Sequence, residues 1–461
     1  MKKPCAGVRK KAIAGARRSG GMKTDLLRSG EMTITTAGQP TRTRYRVMLM
    51  IFVCVVITYL DRSNISITAP AMHKELGFDT VHMGWILSAF GWTYAFGQMP
   101  GGFLVDRIRP RYFYPGILIL WSLATACLGI VGSFIGLFLI RLLIGALEAP
   151  SYMINNQVVT SWFPDRERGG AIGFYISGQF IGLAFLQPLL VWLVANHGWR
   201  SVFFTTGIGG MLWGLVWLLV YRTPRESRSA NEAEIALIET GGGLVDLGTA
   251  NANKQKRKLS WADIGTVFKY KKLWGAYIGQ FAVTSSQWFF LTWFPTYLVE
   301  FRHLSILKSG IYVSLPFIAA FIGTQLSGFL SDRILRSGRT LGTARKTPII
   351  FGLLLSSSII GANFVDQPEY VIAFMCLAFF GNGMASIGWS LISHIAPKPL
   401  IGLTGGTFNF ISNLSGIATP LIIGYLARQG NFAPGLAYIA TVAVIGALAY
   451  ILMIGKLERV E

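Results

Sequence analysis

Twelve apolar runs of about twenty residues each, separated by polar breaks, dominate this 461-residue chain. They cover roughly 46–68, 81–105, 112–132, 134–158, 169–194, 200–221, 272–299, 309–331, 346–364, 370–392, 402–425 and 433–456. A helix needs about 20 apolar residues to cross the hydrocarbon of a bilayer. Within that hydrocarbon only helices and closed barrels can satisfy their own backbone groups. Composition agrees: the chain is 52% hydrophobic and 14% charged, whereas soluble domains carry about 25% charged residues. Its mean hydropathy is +0.49. The expectation is an all-α membrane protein of twelve transmembrane helices, with little chain left for a soluble domain. The first run is the least regular, because Asp61 and Arg62 interrupt it.

The net charge of +21 could suit nucleic acid or a membrane surface, so its distribution decides. With the N-terminus inside, 35 Lys and Arg fall on the cytoplasmic side and five outside (Lys74, Arg200, Arg302, Lys308 and Arg428). This is the positive-inside bias of a chain with both termini in the cytoplasm, and it removes the need for a nucleic-acid partner. Residues 1–45 are basic and lack the apolar core of a cleavable signal, so they read as a disordered cytoplasmic tail. Cys5, Cys54, Cys127 and Cys376 form no C-x-x-C, so neither a disulfide nor a metal site is expected.

Gly101-Gly102-Phe103-Leu104-Val105-Asp106-Arg107-Ile108 recurs 226 residues later as Ser327-Gly328-Phe329-Leu330-Ser331-Asp332-Arg333-Ile334. Each copy ends an even-numbered run and opens a cytoplasmic loop. Two six-helix halves related by a parallel repeat follow, at 46–221 and 272–456. Between them 222–271 is polar and reads as a cytoplasmic linker. Its Gly241-Gly242-Gly243 is no nucleotide loop, since no strand precedes it and no Gly-Lys-Ser/Thr follows. With no metal motif, nucleophile elbow or appended catalytic domain, an enzyme is not expected.

Four ionisable residues lie inside the apolar runs: Asp61, Arg62, Arg141 and Glu148. A charge at the bilayer centre costs about 2.5–3.5 kcal/mol on insertion scales, so such residues mark function. Two cations and two anions balance when the protein is empty. An anion entering alone would leave one excess negative charge, and protonating Asp61 or Glu148 would cancel it. That is the logic of proton-coupled anion uptake. Arg141 and Glu148 are seven apart, hence on one helix face about 10 Å apart, and each needs a partner elsewhere. Asp61 and Arg62 point about 100° apart and also need separate partners. Gln280, Thr284 and Gln287 form a polar stripe in one of the later runs.

Gly102-x-Leu104-x-Asp106-Arg107 resembles the signature loop of the major facilitator superfamily, with Arg109-Pro110 where that loop usually has Gly. Five further stretches resemble its anion:cation symporter family, which includes the vesicular glutamate and sialic acid carriers. They are Tyr59-Leu60-Asp61-Arg62, Gly145-Ala146-Leu147-Glu148-Ala149-Pro150, Ser161-Trp162-Phe163-Pro164, Phe289-Phe290-Leu291-Thr292-Trp293-Phe294-Pro295 and Gly402-Leu403-Thr404-Gly405-Gly406-Thr407-Phe408-Asn409.

The resemblance implies a cofactor-free, monomeric symporter of the bacterial inner membrane. It would import a sugar acid with protons by alternating access: D-galactonate first, with other hexonates, glucarate or hexuronates, or exchange or uniport of an organic anion, as alternatives. It implies that Arg62 contacts substrate with Tyr59, Tyr94, Gln179, Ser386, Trp389 and Asn409. It makes Asp61 and Glu148 the protonation sites, with Arg141 beside them in the proton-coupling set. Asp106, Arg107, Asp332 and Arg333 become gating residues. Gly388 stands where the resemblance expects Thr.

Overall fold

The computed structural model describes residues 39–247, 261–397 and 400–460. The tail expected at 1–45 lies outside them up to residue 38, and its last three residues, from Thr43, are already helical. Pro40–Glu461 is one compact unit. Among the described residues every regular element is a helix.

The first half comprises α1 (Thr43–Leu76), α2 (Thr80–Arg107), α3 (Pro110–Leu128), α4 (Phe134–Glu148), α5 (Ser151–Trp162), α6 (Asp165–Ile181), α7 (Gln187–His197) and α8 (Trp199–Val220). Pro150 separates α4 from α5, and a π turn, Gly182–Leu186, joins α6 to α7. Two short helices follow, α9 (Glu232–Thr240) and α10 (Trp261–Lys269). The second half holds α11 (Lys271–Thr292), the single turn α12 (Phe294–Thr296), α13 (Ile306–Arg336), α14 (Leu341–Ser356), α15 (Pro368–Ala385), α16 (Trp389–Ile395), α17 (Ile401–Asn413), α18 (Ser415–Leu426) and α19 (Ala433–Leu452).

Among the described residues ten helical stretches are long and apolar enough to cross a membrane, where the sequence predicts twelve. The two that fall short are α2 and α11. In α11 the physical reason is visible: Gln280, Ser285, Ser286 and Thr292 are buried inward, so the mean apolarity drops while the buried face is kept. Packing repeats between the halves. α2 packs on α4 and α3 on α8; correspondingly α13 packs on α15 and α14 on α19. Glycine makes the close approaches possible: a Cβ on Gly145 would strike the Phe90 carbonyl of α2, and one on Gly383 the Ala320 carbonyl of α13.

Contacts between the halves gather at one end. A Cβ on Gly91 would lie 2.6 Å from the Gly416 carbonyl of α18, and one on Gly84 3.0 Å from the Pro420 oxygen. Val191 of α7 meets Gly310 of α13, and His73 Nδ1 lies 3.0 Å from Glu300 Oε1. Midway come Phe180–Phe321, Phe96–Phe410 and a hydrogen bond from Asn409 Nδ2 to Gln98 Oε1. Toward the other end Gly169, Gly170 and Gly173 of α6, Gly328 of α13, and Gly402, Gly405 and Gly406 of α17 have nothing within 4 Å of where a Cβ would stand. The halves thus close on each other at the end of the loops 77–79 and 427–432, while these glycines nearer the basic loops face open space.

The segment after α8 is docked on the first half. Glu234 of α9, fully buried, accepts from the backbone N–H groups of Thr43 and Arg44, both at 3.1 Å, and from the Arg44 guanidinium. A carboxylate there satisfies the orphan donors at the start of α1. Arg109 reaches Glu226 at 3.1 Å, and Leu244 N–H donates to the Thr160 carbonyl.

Candidate functional site

The middle of the first half holds all four intramembrane ionisable residues, and all are buried: Asp61 and Arg62 on α1, Arg141 and Glu148 on α4. Close α2–α4 packing over Gly145 brings the last turn of α4 to the centre, next to Phe90 and Thr93. Arg62 Nε donates to Glu148 Oε1 at 2.5 Å, and Nη2 pairs with the same oxygen. The two charges lie 86 positions apart in sequence. Aromatic rings box the guanidinium: Tyr94, Tyr59 and Phe90 lie 4.5, 5.0 and 5.0 Å from Cζ. Such faces attract a cation that has left water. The Tyr152 hydroxyl donates to that of Tyr59 at 3.5 Å.

Arg141 is different. Its Cζ lies 5.2 Å from the Phe90 ring, so Phe90 contacts both guanidiniums. Yet none of its three nitrogens has a hydrogen-bond partner, at 1% exposure. Glu148 Oε2 is also buried without one. A buried donor left unpaired costs about 1–3 kcal/mol, and more when charged. This centre therefore carries spare capacity to bind an anion and to accept a proton. Asp61 is held by uncharged donors: Trp121 Nε1 at 3.1 Å on Oδ2 and Asn64 Nδ2 at 3.3 Å on Oδ1.

Of the hydroxyl-binding candidates, Tyr59 and Tyr94 join the cluster directly. Asn409 approaches it from the second half through Gln98, one turn after Tyr94, and Asn413 Nδ2 donates to Asn409 Oδ1 at 3.1 Å. Gln179 is half-buried on α6, just before the π turn. Ser386 donates to the Gly383 carbonyl at 2.7 Å and lies 3.5 Å from the Thr324 hydroxyl, so its contacts stay in the second half. Trp389 opens α16, and its side chain lies outside the described residues. A Cβ on Gly388 would come 2.8 Å from the Tyr450 hydroxyl and 3.1 Å from Gln280 Oε1. The gating candidates stand apart from this cluster. Asp106 and Arg107 end α2, and Asp332 and Arg333 lie in the last turns of α13, where Arg345 Nη1 is 3.7 Å from Asp332.

Sequence reasoning missed Phe90, Trp121, Asn64, Thr206, Gln98 and Tyr152. Three had a readable signal: Asn64 follows Asp61 by three on α1, and on α2 Phe90 precedes Tyr94 by four and Gln98 follows it by four, all on shared helix faces. Trp121 had none, since a tryptophan in an apolar run looks like any core residue.

Residues 51–420 match the Major Facilitator Superfamily. The chain belongs to that superfamily. Among its relatives, the D-galactonate transporter of Escherichia coli O6:H1 is 49% identical over 425 residues, 92% of this chain and 98% of that protein. The probable galactarate/D-glucarate transporter GudP of Bacillus subtilis is 41% identical over 435 residues, 93% of this chain and 95% of that protein. A solved structure matches in fold. A bacterial homolog of the human lysosomal transporter Spinster, in an inward-facing and unoccupied conformation, superposes with a TM-score of 0.72 at 18% identity, over 90% of this chain and 98% of that one.

Proposed function

We propose that the protein imports a sugar acid, D-galactonate first, together with protons, by alternating access across a bacterial inner membrane. The substrate class comes from the relatives' names and from the site. The observation that carries it is the buried Arg62–Glu148 pair beside Arg141, whose guanidinium has no hydrogen-bond partner. In this reading the substrate carboxylate takes the place of Glu148 on Arg62, a planar fork suited to two-pronged carboxylate contact. Glu148, protonated, gives up Arg62 and offers an O–H donor instead. Asp61 is the second proton site, and Arg141 offsets the anion while it is inside. Tyr59, Tyr94, Gln179, Ser386, Trp389 and Asn409 supply neutral hydrogen bonds to the hydroxyls. The Gln98–Asn409 contact is what an arriving hydroxyl must replace.

On this reading α2 and α11 complete twelve spans in two six-helix halves, 46–221 and 272–456, linked by 222–271. Both termini and the basic loops face the cytoplasm, so the state described opens inward. Asp106, Arg107, Asp332 and Arg333 steady the gates at that face, and the working unit is a monomer. Aldarates are the second substrate class, since several relatives carry galactarate or glucarate in their names. The test is uptake by proteoliposomes under an inward proton gradient, with labelled D-galactonate, D-glucarate and D-glucuronate in parallel. D-Galactonate should accumulate fastest, and a protonophore should abolish accumulation. Uptake of none of the three would refute the substrate class.

A further inference from the structure

Asp61 and Glu148 are both buried carboxylates, but different things hold them. Glu148 is tied to a cation. Asp61 has no ion-pair partner among the described residues and is cradled by three helices. Trp121 of α3 donates to Oδ2 at 3.1 Å, and Asn64 of α1 donates to Oδ1 at 3.3 Å. Asn64 Nδ2 is also 2.7 Å from Thr206 Oγ1 of α8, whose hydroxyl donates to the Val202 carbonyl at 2.9 Å. The cradle is rigid by construction. A Cβ on Gly207, next to Thr206, would stand 2.6 Å from the carbonyl of Ser122, next to Trp121, so α3 and α8 approach backbone to backbone at this level. Trp121 and Asn64 are both fully buried.

The donor set suits a group that gains and loses a proton. An indole only donates, whereas an amide both donates and accepts. Asn64 Oδ1 is buried without a partner, as are Ser122 Oγ and Thr125 Oγ1 on α3. When Asp61 is ionised, Asn64 and Trp121 present N–H groups to its oxygens. When Asp61 binds a proton from solution, its new O–H needs an acceptor, and the amide oxygen of Asn64 can supply one by turning over. The charges that act on Asp61 are those of Glu148 and Arg141, both on α4; its chain neighbour Arg62 is turned to Glu148. The contacts of α3 and α8 with it are neutral.

We propose that Asn64, Trp121 and Thr206 are positioning residues that let Asp61 exchange its proton without an ionic partner, and so set the pH at which transport is driven. The inference rests on the proton-coupled reading above. The test compares wild type with Asn64→Leu, Trp121→Phe and Thr206→Val in proteoliposomes. Gradient-driven D-galactonate uptake is read against pH, beside counterflow exchange and thermal stability. Trp121→Phe should keep counterflow within about threefold of wild type. It should move the midpoint of driven uptake about 0.5 pH unit or more to the alkaline side, because the lost donor favoured the anionic oxygen. Thr206→Val, nearly isosteric, should move it in the same direction by less, and carries the test if Trp121→Phe does not fold. In an Asp61→Asn background neither substitution should move the pH profile of counterflow. Driven uptake with an unchanged midpoint in Trp121→Phe and Thr206→Val overturns the positioning role alone. So does a parallel loss of counterflow, driven uptake and stability in both. Wild-type uptake that ignores the gradient overturns the proton-coupled reading and this inference with it.

Discussion

Arg62 does two jobs with one planar group: it grips Glu148 at 2.5 Å and lies among three aromatic rings. Lysine keeps the charge but loses both the fork and the flat stacking surface. Arg62→Lys should therefore weaken D-galactonate binding by about tenfold or more, a loss of about 1.4 kcal/mol. Isothermal titration checks this, and near-normal affinity would mean that only general electrostatics is at work. Glu148→Gln tests the other side of the pair. Glutamine keeps the size and a donor but cannot release a proton. Binding should survive with less sensitivity to rising pH, counterflow should persist, and net gradient-driven uptake should fail. A purely structural ion pair predicts instead an unstable variant, because breaking a buried pair costs about 3–5 kcal/mol; thermal unfolding beside binding separates the two. The four charged positions and their need for separate partners were legible from spacing along two helices. That Arg62 chooses Glu148, and that Arg141 stays unpartnered, was not, because those partners meet only through the α1–α2–α4 packing.

Between helices, glycine sets how closely the halves approach. Gly91 of α2 meets the Gly416 backbone of α18, and the ideal Cβ distance of 2.6 Å leaves no room for even a methyl group. Gly91→Ala should hold the two halves apart at the end that is now closed. In a background without the four native cysteines, Ala427→Cys, at a position now fully buried near that end, should then react faster with a membrane-impermeant thiol reagent. An unchanged labelling rate would show that this contact does not govern closure. At the same end Asp79 caps α2, accepting from His82 N–H at 2.7 Å. That backbone hydrogen bond holds the Asp79 carboxyl below its ordinary range. A lowered acid contributes stability above its unfolded value and loses it as pH falls through the folded one. Asp79→Ala should thus melt lower than wild type at pH 7, with the gap closing in acid, as differential scanning calorimetry would read. The helix pattern itself was readable from apolar runs. What the sequence did not show is that the polar residues Gln280, Ser285, Ser286 and Thr292 of α11 turn inward.

Across the whole molecule, the repeat of 226 residues and the apolar runs announced the architecture, and the same helix pairings recur in both halves. Which end is closed was hidden, because closure depends on glycine contacts between segments more than 300 residues apart. The docking of α9 was hidden too. Glu234 looks like an ordinary solvated charge in a polar linker, yet it caps α1 across 191 positions. On the function proposed above, anion and proton move together through one buried charge cluster. The most direct measurement is made on de-energised vesicles containing the protein, with a pH electrode in a weakly buffered medium. Adding D-galactonate should turn the medium alkaline as protons enter with the sugar acid; a protonophore should abolish the change, and so should Glu148→Gln. D-Galactonate entry with no alkalinisation would contradict the coupling on which this reading rests.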